Sequence, residues 1–180
     1  MATLGSPAPP YSVTDPLIVS FPGLATTGYR VTSPATVEYN CIAWAASRKD
    51  RWWWPSPDGY WPSGVPSVPT LQAFEAAYGT LGYIRCATDN FEIDYEKVCI
   101  FAHPNGIPTH AARQLDNGRW TSKLGRNVDI EHATPQGLSG REYGQPVLFV
   151  QRPRSTWRKS LALVKRSYAR FRRWLTSNWF

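Results

Sequence analysis

The sequence predicts an α+β fold, in which a few short helices are set apart from a small, mostly antiparallel sheet. Helical patterns are confined to residues 40–47, 69–82 and 155–176. Residues 83–151 instead consist of short runs rich in β-branched and aromatic residues, separated by turn residues, which is typical of antiparallel strands. At 180 residues, 42% of them apolar, the chain is long enough to bury one core.

Charge divides the chain into a body and a tail. Residues 151–180 contain nine Lys and Arg and no acidic residue, whereas residues 1–150 contain eleven basic and thirteen acidic residues. The formal net charge of +7 is therefore the sum of a −2 body and a +9 tail. We expect an extended N-terminal arm over 1–37, an α+β domain over 38–152 and a basic helical tail over 153–180.

Several classes of protein are disfavoured by composition. No apolar run approaches the roughly 20 residues that span a membrane, and no charged-then-apolar leader is present. Three Cys are too few for a disulfide scaffold, which favours reduced thiols. The expectation is a cytoplasmic protein, with peripheral membrane association through the tail as an option.

Residues 1–37 are rich in Pro, Gly, Ser and Thr. Repeated Pro interrupts helices and favours extended backbone. An arm laid over the body and a partly disordered terminus are both consistent with this composition. Within it, the apolar run 17–21 is interpreted as a short strand.

Two helices are predicted in the body. In the first, over 40–47, Asn40 caps the start and Cys41 lies in the first turn. The second, over 69–82, is capped by Thr70 and presents one apolar face. Between them, residues 51–69 hold four Trp and five Pro and can only be a loop.

Strands and one hairpin are predicted beyond these helices. If Asn117 and Gly118 form a two-residue loop, Asp116 pairs with Arg119 and His110 lies opposite residue 125. His110 then shares a face with Gln114, with Thr121 and Lys123 alongside. A short helical turn is expected over 134–140. The predicted strands cover 83–86, 95–102, 109–115, 119–125 and 145–151.

The tail predicts a basic amphipathic helix over 155–176. Its apolar residues are spaced 4, 3, 4, 3 and 4 apart, which makes a one-sided stripe. An anionic membrane surface, packing on the domain and nonspecific nucleic-acid binding are the alternatives, and nucleic acid ranks below the membrane. The surface-binding candidates are Arg158, Lys159, Lys165, Arg166, Arg170, Arg172 and Arg173.

Cys41 and His110 are the leading catalytic candidates. A thiol at a helix start is favoured as thiolate by the nearby amides, although most free Cys are simply small core residues. A His on a later strand can take the thiol proton. Asp129 is the first choice to orient that His, ahead of His132 and Gln114. Asn40, Trp44 and Lys123 complete the accessory candidates.

Other chemistries have weak signals. The His and Cys residues lack the usual zinc spacings, and the phosphate-loop, dinucleotide and serine-hydrolase motifs are absent. No cofactor or metal is therefore expected. Cys86 and Cys99 lie in apolar strand patterns and are interpreted as core residues.

The segments 40–45, 109–113, 120–125 and 129–132 together carry a resemblance. They read Asn-Cys-x-x-Trp-Ala, Thr-His-x-Ala-Arg, Trp-x-Ser-Lys-x-Gly and Asp-x-x-His. The set resembles an uncharacterised family of small bacterial proteins over roughly residues 37–152. The order of Cys and His is also similar to papain-like, NlpC-type proteins. That resemblance implies a Cys-bearing helix packed on a small antiparallel sheet, to which the basic tail would add a C-terminal amphipathic helix.

The NlpC-type resemblance also implies where the third polar group should lie. It points near Ser122, on the strand after the His, where the sequence offers none of the usual residues. Two function classes follow. One is a Cys-His thiol hydrolase or acyl-transfer enzyme acting on an amide or peptide-like bond, with a toxin- or effector-like role as a variant. The other is a binding module that uses the Trp-rich loop and the tail.

Overall fold

The computed structural model describes residues 14–154, which fold around one seven-stranded antiparallel sheet. This confirms the predicted mixture of a few helices with an antiparallel sheet. The strand order is β1-β6-β5-β4-β3-β7-β2. The strands are β1 (Tyr29–Ser33), β2 (Ile84–Cys86), β3 (Tyr95–Ala102), β4 (Pro108–Gln114), β5 (Trp120–Lys123), β6 (Asp129–His132) and β7 (Gln145–Pro153).

Residues 14–154 also contain four short helices and one 3₁₀ turn. The helices are α1 (Pro16–Ser20), α2 (Gly23–Thr27), α3 (Cys41–Ala45) and α4 (Leu71–Gly79), and the 3₁₀ turn covers Pro135–Leu138. The two predicted caps are confirmed. Asn40 Oδ1 accepts from Ala43 N at 3.1 Å, and Thr70 Oγ1 accepts from Ala73 N at 3.3 Å. Each cap therefore satisfies an amide that its helix leaves unpaired.

Residues 17–20 are helical and Phe21 caps the end of that helix, so the strand predicted over 17–21 is wrong. Asp15 Oδ1 accepts from Leu17 N at 2.9 Å, and Pro16 occupies the first turn. An acidic cap followed by Pro is a helix start, and it outweighs the β propensity of the apolar residues. Residues 29–33 of the predicted arm join the sheet as an edge strand beside β6.

The hairpin between β4 and β5 has a three-residue loop, which corrects the predicted register by one residue. Leu115 N donates to Arg119 O at 2.7 Å, and Gln114 pairs with Trp120. Among the three loop residues only Gly118 has a positive φ, 81°, whereas a two-residue loop would need two such residues. His110 therefore does not lie opposite residue 125.

This one-residue change reverses the faces of β5 relative to β4. Ser122 moves onto the face of His110, and Thr121 and Lys123 move to the other face. The predicted neighbourhood of His110 with Thr121 and Lys123 is therefore wrong. The alternation of neighbouring side chains across a strand is the physical reason.

Helices cover both faces of the sheet. One core cluster joins α3 and α4 to Val98, Ile100 and Ala111, and it includes Cys41. The other joins α1, α2 and the 3₁₀ turn to the alternate residues of the same strands, Phe101 and Ala112 among them. Cys41 therefore packs on the face of β4 opposite to the face that carries the His110 side chain.

No helix within residues 14–154 is long and apolar enough to cross a membrane. The predicted tail helix over 155–176 and its surface-binding candidates lie outside the described residues.

Candidate active site

Cys41 is the first residue of α3 and lies at the wall of a cavity of about 440 Å³. The residue as a whole is only 7% exposed, so it meets this cavity over a small area. The Trp-rich loop supplies one wall. The lining residues are Asn40, Cys41, Trp52, Trp54, Ser56, Asp58, Gly59, Thr109, Gly125 and Tyr143.

Burial dominates the electrostatics of the thiol. It raises the pKa of Cys41 to about 11, because a buried thiolate loses its hydration. The backbone N–H of Ala111 is the strongest opposing influence, followed by the N–H groups of Ile42 and Cys41 itself and by the charge of Lys123. The thiol is therefore protonated at neutral pH, yet it lies within reach of amides that would stabilise a thiolate.

His110 belongs to a buried chain of three side chains. Its Nε2 lies 3.1 Å from Ser122 Oγ, and Ser122 Oγ lies 2.9 Å from His132 Nε2. At the far end, His132 Nδ1 lies 2.8 Å from the carbonyl oxygen of Thr134. All three side chains are fully buried, with 0% of their area exposed.

The direction of this chain follows from its last acceptor. A carbonyl can only accept, so His132 Nδ1 carries a proton and its Nε2 accepts from the Ser122 hydroxyl. Ser122 Oγ in turn accepts from His110 Nε2–H. The remaining nitrogen of a neutral His110, Nδ1, is then an unprotonated base.

Both imidazoles are neutral at pH 7. Burial lowers the pKa of His132 from 6.5 to about 4. Burial, followed by repulsion from the His132 ring when that ring is protonated, lowers the pKa of His110 well below 6.5. His110 Nδ1 is buried and makes no hydrogen bond to any described residue. A buried acceptor without a partner is costly and is therefore a candidate functional atom.

Tyr143 links the imidazole to the cavity. Its ring stacks on His110 with centroids 4.0 Å apart and planes 7° apart, and the same residue lines the cavity with Cys41. Thr109 Oγ1 donates to the carbonyl of Tyr143 at 2.6 Å, which holds this residue against β4. Within residues 14–154, no hydrogen bond joins the thiol to the imidazole directly.

Ser122, rather than Asp129, is the hydrogen-bond partner of His110. Asp129 Oδ2 accepts from Tyr39 OH at 2.7 Å and from Ser33 Oγ at 2.5 Å. It pairs with Lys123 across β5 and β6, so its side chain lies on the opposite face from Ser122. The NlpC-type resemblance pointed to the position of Ser122, but the role of this Ser could not be predicted, because a lone Ser does not reveal that His132 is its hydrogen-bond partner.

The remaining accessory candidates serve structural contacts. Gln114 Nε2 donates to Asp89 O at 3.0 Å, away from His110. Trp44 Nε1 donates to Thr121 Oγ1 at 3.1 Å. Lys123 is buried, contacts Asn127 O and lies 5.6 Å from the ring of Tyr39.

No group of three or more His, Cys, Asp or Glu among residues 14–154 is arranged to hold a metal ion. All three Cys are free thiols. Cys99 is buried, as predicted for a core residue, and Cys86 is partly exposed.

A family model described as a domain of unknown function, DUF7689, matches residues 30–151. The chain belongs to this family. In this DUF7689 chain the match begins in β1 and ends in β7, and it includes Cys41, His110, Ser122 and His132. The comparisons found no match among curated proteins and none among solved structures.

Proposed function

We propose that this protein is a Cys-His thiol enzyme that hydrolyses or transfers the acyl group of an amide or peptide-like bond, with an NlpC-type, papain-like arrangement. One observation carries the proposal. Ser122 and His132 hold His110 in the tautomer whose Nδ1 is a free base, at the residue next to Ala111, whose N–H faces the Cys41 thiol. A nucleophile, a base and an orienting chain are the parts such chemistry needs.

The reaction starts from a neutral pair. The reaction requires that the Cys41 proton reach His110 Nδ1, which lies on the other face of β4 from the thiol, as the sulfur attacks the substrate carbonyl carbon and a tetrahedral oxyanion forms. The backbone N–H groups of Cys41 and Ile42 are the donors available to that oxyanion. The resulting imidazolium keeps its Nε2–H bond to Ser122.

Collapse of the tetrahedral intermediate breaks the carbon–nitrogen bond. His110 Nδ1–H gives its proton to the leaving amine, which leaves an acyl thioester on Cys41. Water, deprotonated by the same Nδ1, completes hydrolysis, and an acceptor amine in its place completes acyl transfer. In either case the sulfur is expelled from the second tetrahedral intermediate and takes back the proton from His110 Nδ1–H, which regenerates the thiol and the neutral imidazole.

The proposal is tested by trapping the acyl group. Phenyl thioacetate is incubated with the protein at neutral pH, and the acetylated residue is identified by peptide mass spectrometry. We expect acetylation at Cys41 and a rate at least about 100-fold lower in His110→Gln, because the general base is lost. Cys99→Ala, which removes another buried thiol, is the matched control and should leave the rate unchanged.

Two results would overturn the proposal. One is acetylation of Cys86 in preference to Cys41. The other is an equal rate at Cys41 in the wild type and in a folded His110→Gln variant.

A non-catalytic binding module is the second candidate. The raised pKa of the thiol and the missing hydrogen bond between Cys41 and His110 favour it. In this case the Trp-rich loop would be the binding surface, since aromatic side chains are common interface anchors. Full biological activity of a Cys41→Ala protein would select this candidate over the enzyme.

A further inference from the structure

The cavity beside Cys41 has walls that suit a flat apolar group. Trp52, Trp54 and Tyr143 line it together with Cys41, and its volume is about 440 Å³. That volume falls within the roughly 300–1,000 Å³ of small-molecule binding sites, so it has room for an aromatic ring with a short linker. Three large rings around one nucleophile favour a ring-bearing ligand over a small one.

These walls are held in place before any ligand binds. Trp52 Nε1 donates to Val37 O at 2.5 Å, and the ring of Trp54 packs edge-on against Phe74 at 5.6 Å. Tyr143 is held by Thr109 and stacked on His110. A preformed wall lowers the entropic cost of binding.

The charge of the cavity restricts the ligand further. Among the described residues that line it, Asp58 is the only Asp, Glu, Lys or Arg. Arg126 lies 5.6 Å from the ring of Trp52 and Lys123 is buried, but neither residue lines the cavity. A carboxylate in this cavity would be desolvated without a cationic partner and repelled by Asp58.

We infer that the group bound beside Cys41, and so the acyl group of the substrate, is aromatic or similarly flat and apolar and carries no negative charge. The statement that the bound group is the acyl group of the substrate rests on the proposed function. The statement that this group is flat, apolar and without negative charge rests on the cavity alone.

The test uses Cys41→Ala protein, so that binding is measured without reaction. The probes are N-acetylphenylalanine amide, its free carboxylic acid and N-acetylalanine amide, which differ in one charge or one ring. Binding is followed by tryptophan fluorescence and by calorimetry at pH 7. We expect the phenylalanine amide to bind at least about 10-fold more tightly than either of the other two.

Matched variants assign the effect to the cavity. Trp54→Ala should weaken binding of the phenylalanine amide about 10-fold. Trp61→Ala, which also removes a ring packed on Phe74 but lies outside the lining, should not weaken it. Asp58→Asn should reduce the ratio of the affinity for the phenylalanine amide to the affinity for its acid. Asp50→Asn should leave this ratio unchanged.

Tighter binding of the acid than of the amide, or equal binding of the phenylalanine and alanine amides, would overturn the inference. If the probes bind as expected to Cys41→Ala protein but phenyl thioacetate does not acetylate Cys41 in the wild type, the inference stands and only the enzymatic proposal is overturned.

Discussion

At the scale of single residues, the hydroxyl of Ser122 links the two imidazoles and fixes which nitrogen of His110 carries the proton. It accepts from one imidazole and donates to another, and the carbonyl of Thr134 decides which is which. A side chain that could only accept would leave His132 Nε2 without a partner. The free nitrogen of His110 is therefore a consequence of three buried hydrogen bonds.

Removing this hydroxyl should impair both reactivity and stability. In Ser122→Ala, His110 Nε2 and His132 Nε2 lose their shared partner, and the free energy of unfolding should fall by about 1–3 kcal/mol. Acetylation of Cys41 should slow by at least about 10-fold, because His110 no longer has a fixed tautomer. The measurements are urea unfolding and the pH profile of acetylation.

Ser122→Thr keeps the hydroxyl and serves as the conservative control. Its acetylation rate should lie closer to wild type than to Ser122→Ala. A Ser122→Ala protein that is destabilised but keeps the wild-type rate and pH profile would mean that the hydroxyl is only structural.

Acid should destabilise the protein through the same residues. Burial holds the pKa of His132 at about 4 in the folded state against 6.5 when unfolded. The unfolded chain therefore binds more protons below pH 6.5, and stability falls as the pH drops from 6.5 towards 4. His132 alone should account for a loss of about 2 kcal/mol between pH 7.5 and pH 5, and His110 adds to it in the same direction.

Urea unfolding at pH 7.5 and pH 5 measures this loss. His132→Gln should show a smaller difference between the two pH values than wild type. His103→Gln, a histidine change in a turn outside the site, should not. An equal pH dependence in wild type and His132→Gln would contradict the assignment.

At the scale of secondary structure, Asn40 joins the start of α3 to the Trp-rich loop. Its Oδ1 accepts from Ala43 N and from Trp53 N at 3.2 Å, and its Nδ2 donates to Trp53 O at 2.8 Å. The thiol and one wall of the cavity are thus positioned by the same buried amide. A cap that serves two elements couples their stability.

Asn40→Ala should lower the free energy of unfolding by about 2 kcal/mol, since a cap and two buried loop hydrogen bonds are lost together. Thr70→Ala, which removes only the cap of α4, is the matched control and should cost about 1 kcal/mol. Chemical denaturation followed by tryptophan fluorescence measures both. Equal losses would mean that the bonds between Asn40 and Trp53 contribute nothing to stability.

At the scale of the whole molecule, the family match and the sheet end together, whereas the excess of positive charge lies beyond them. The match ends at residue 151 and β7 ends at Pro153. Residues 155–180 contain seven Lys and Arg and no acidic residue. The body and the tail can therefore be separated by experiment.

A chain that ends at residue 154 should keep the unfolding midpoint and the acetylation rate of the full chain. It should lose binding to vesicles of anionic phospholipid, since each Lys or Arg near such a surface contributes on the order of 1 kcal/mol. Vesicle flotation at low and high salt measures this, with zwitterionic vesicles as the control. Undiminished binding by the shortened chain would contradict a membrane role for the tail.

Local signals were enough to predict several elements of the fold. Asn40 and Thr70 precede apolar helical patterns and do cap α3 and α4, because a capping hydrogen bond reaches only three residues along the chain. The antiparallel strands followed from period-two runs between turns. The position of Cys41 at a helix start and the loop over 51–69 were predicted from the same local patterns.

Contacts between distant segments required the tertiary structure. The loop between β4 and β5 is one residue longer than predicted, and this difference decided which side chains share the face of His110. Ser122, and not Lys123, therefore lies on that face. The hydrogen bond from Ser122 to His132 depends on the register of β5 and β6. The sequence by itself determined the residue types and the elements that carry them. Only the packed sheet decided which of them meet, because register and burial depend on segments far apart in the chain.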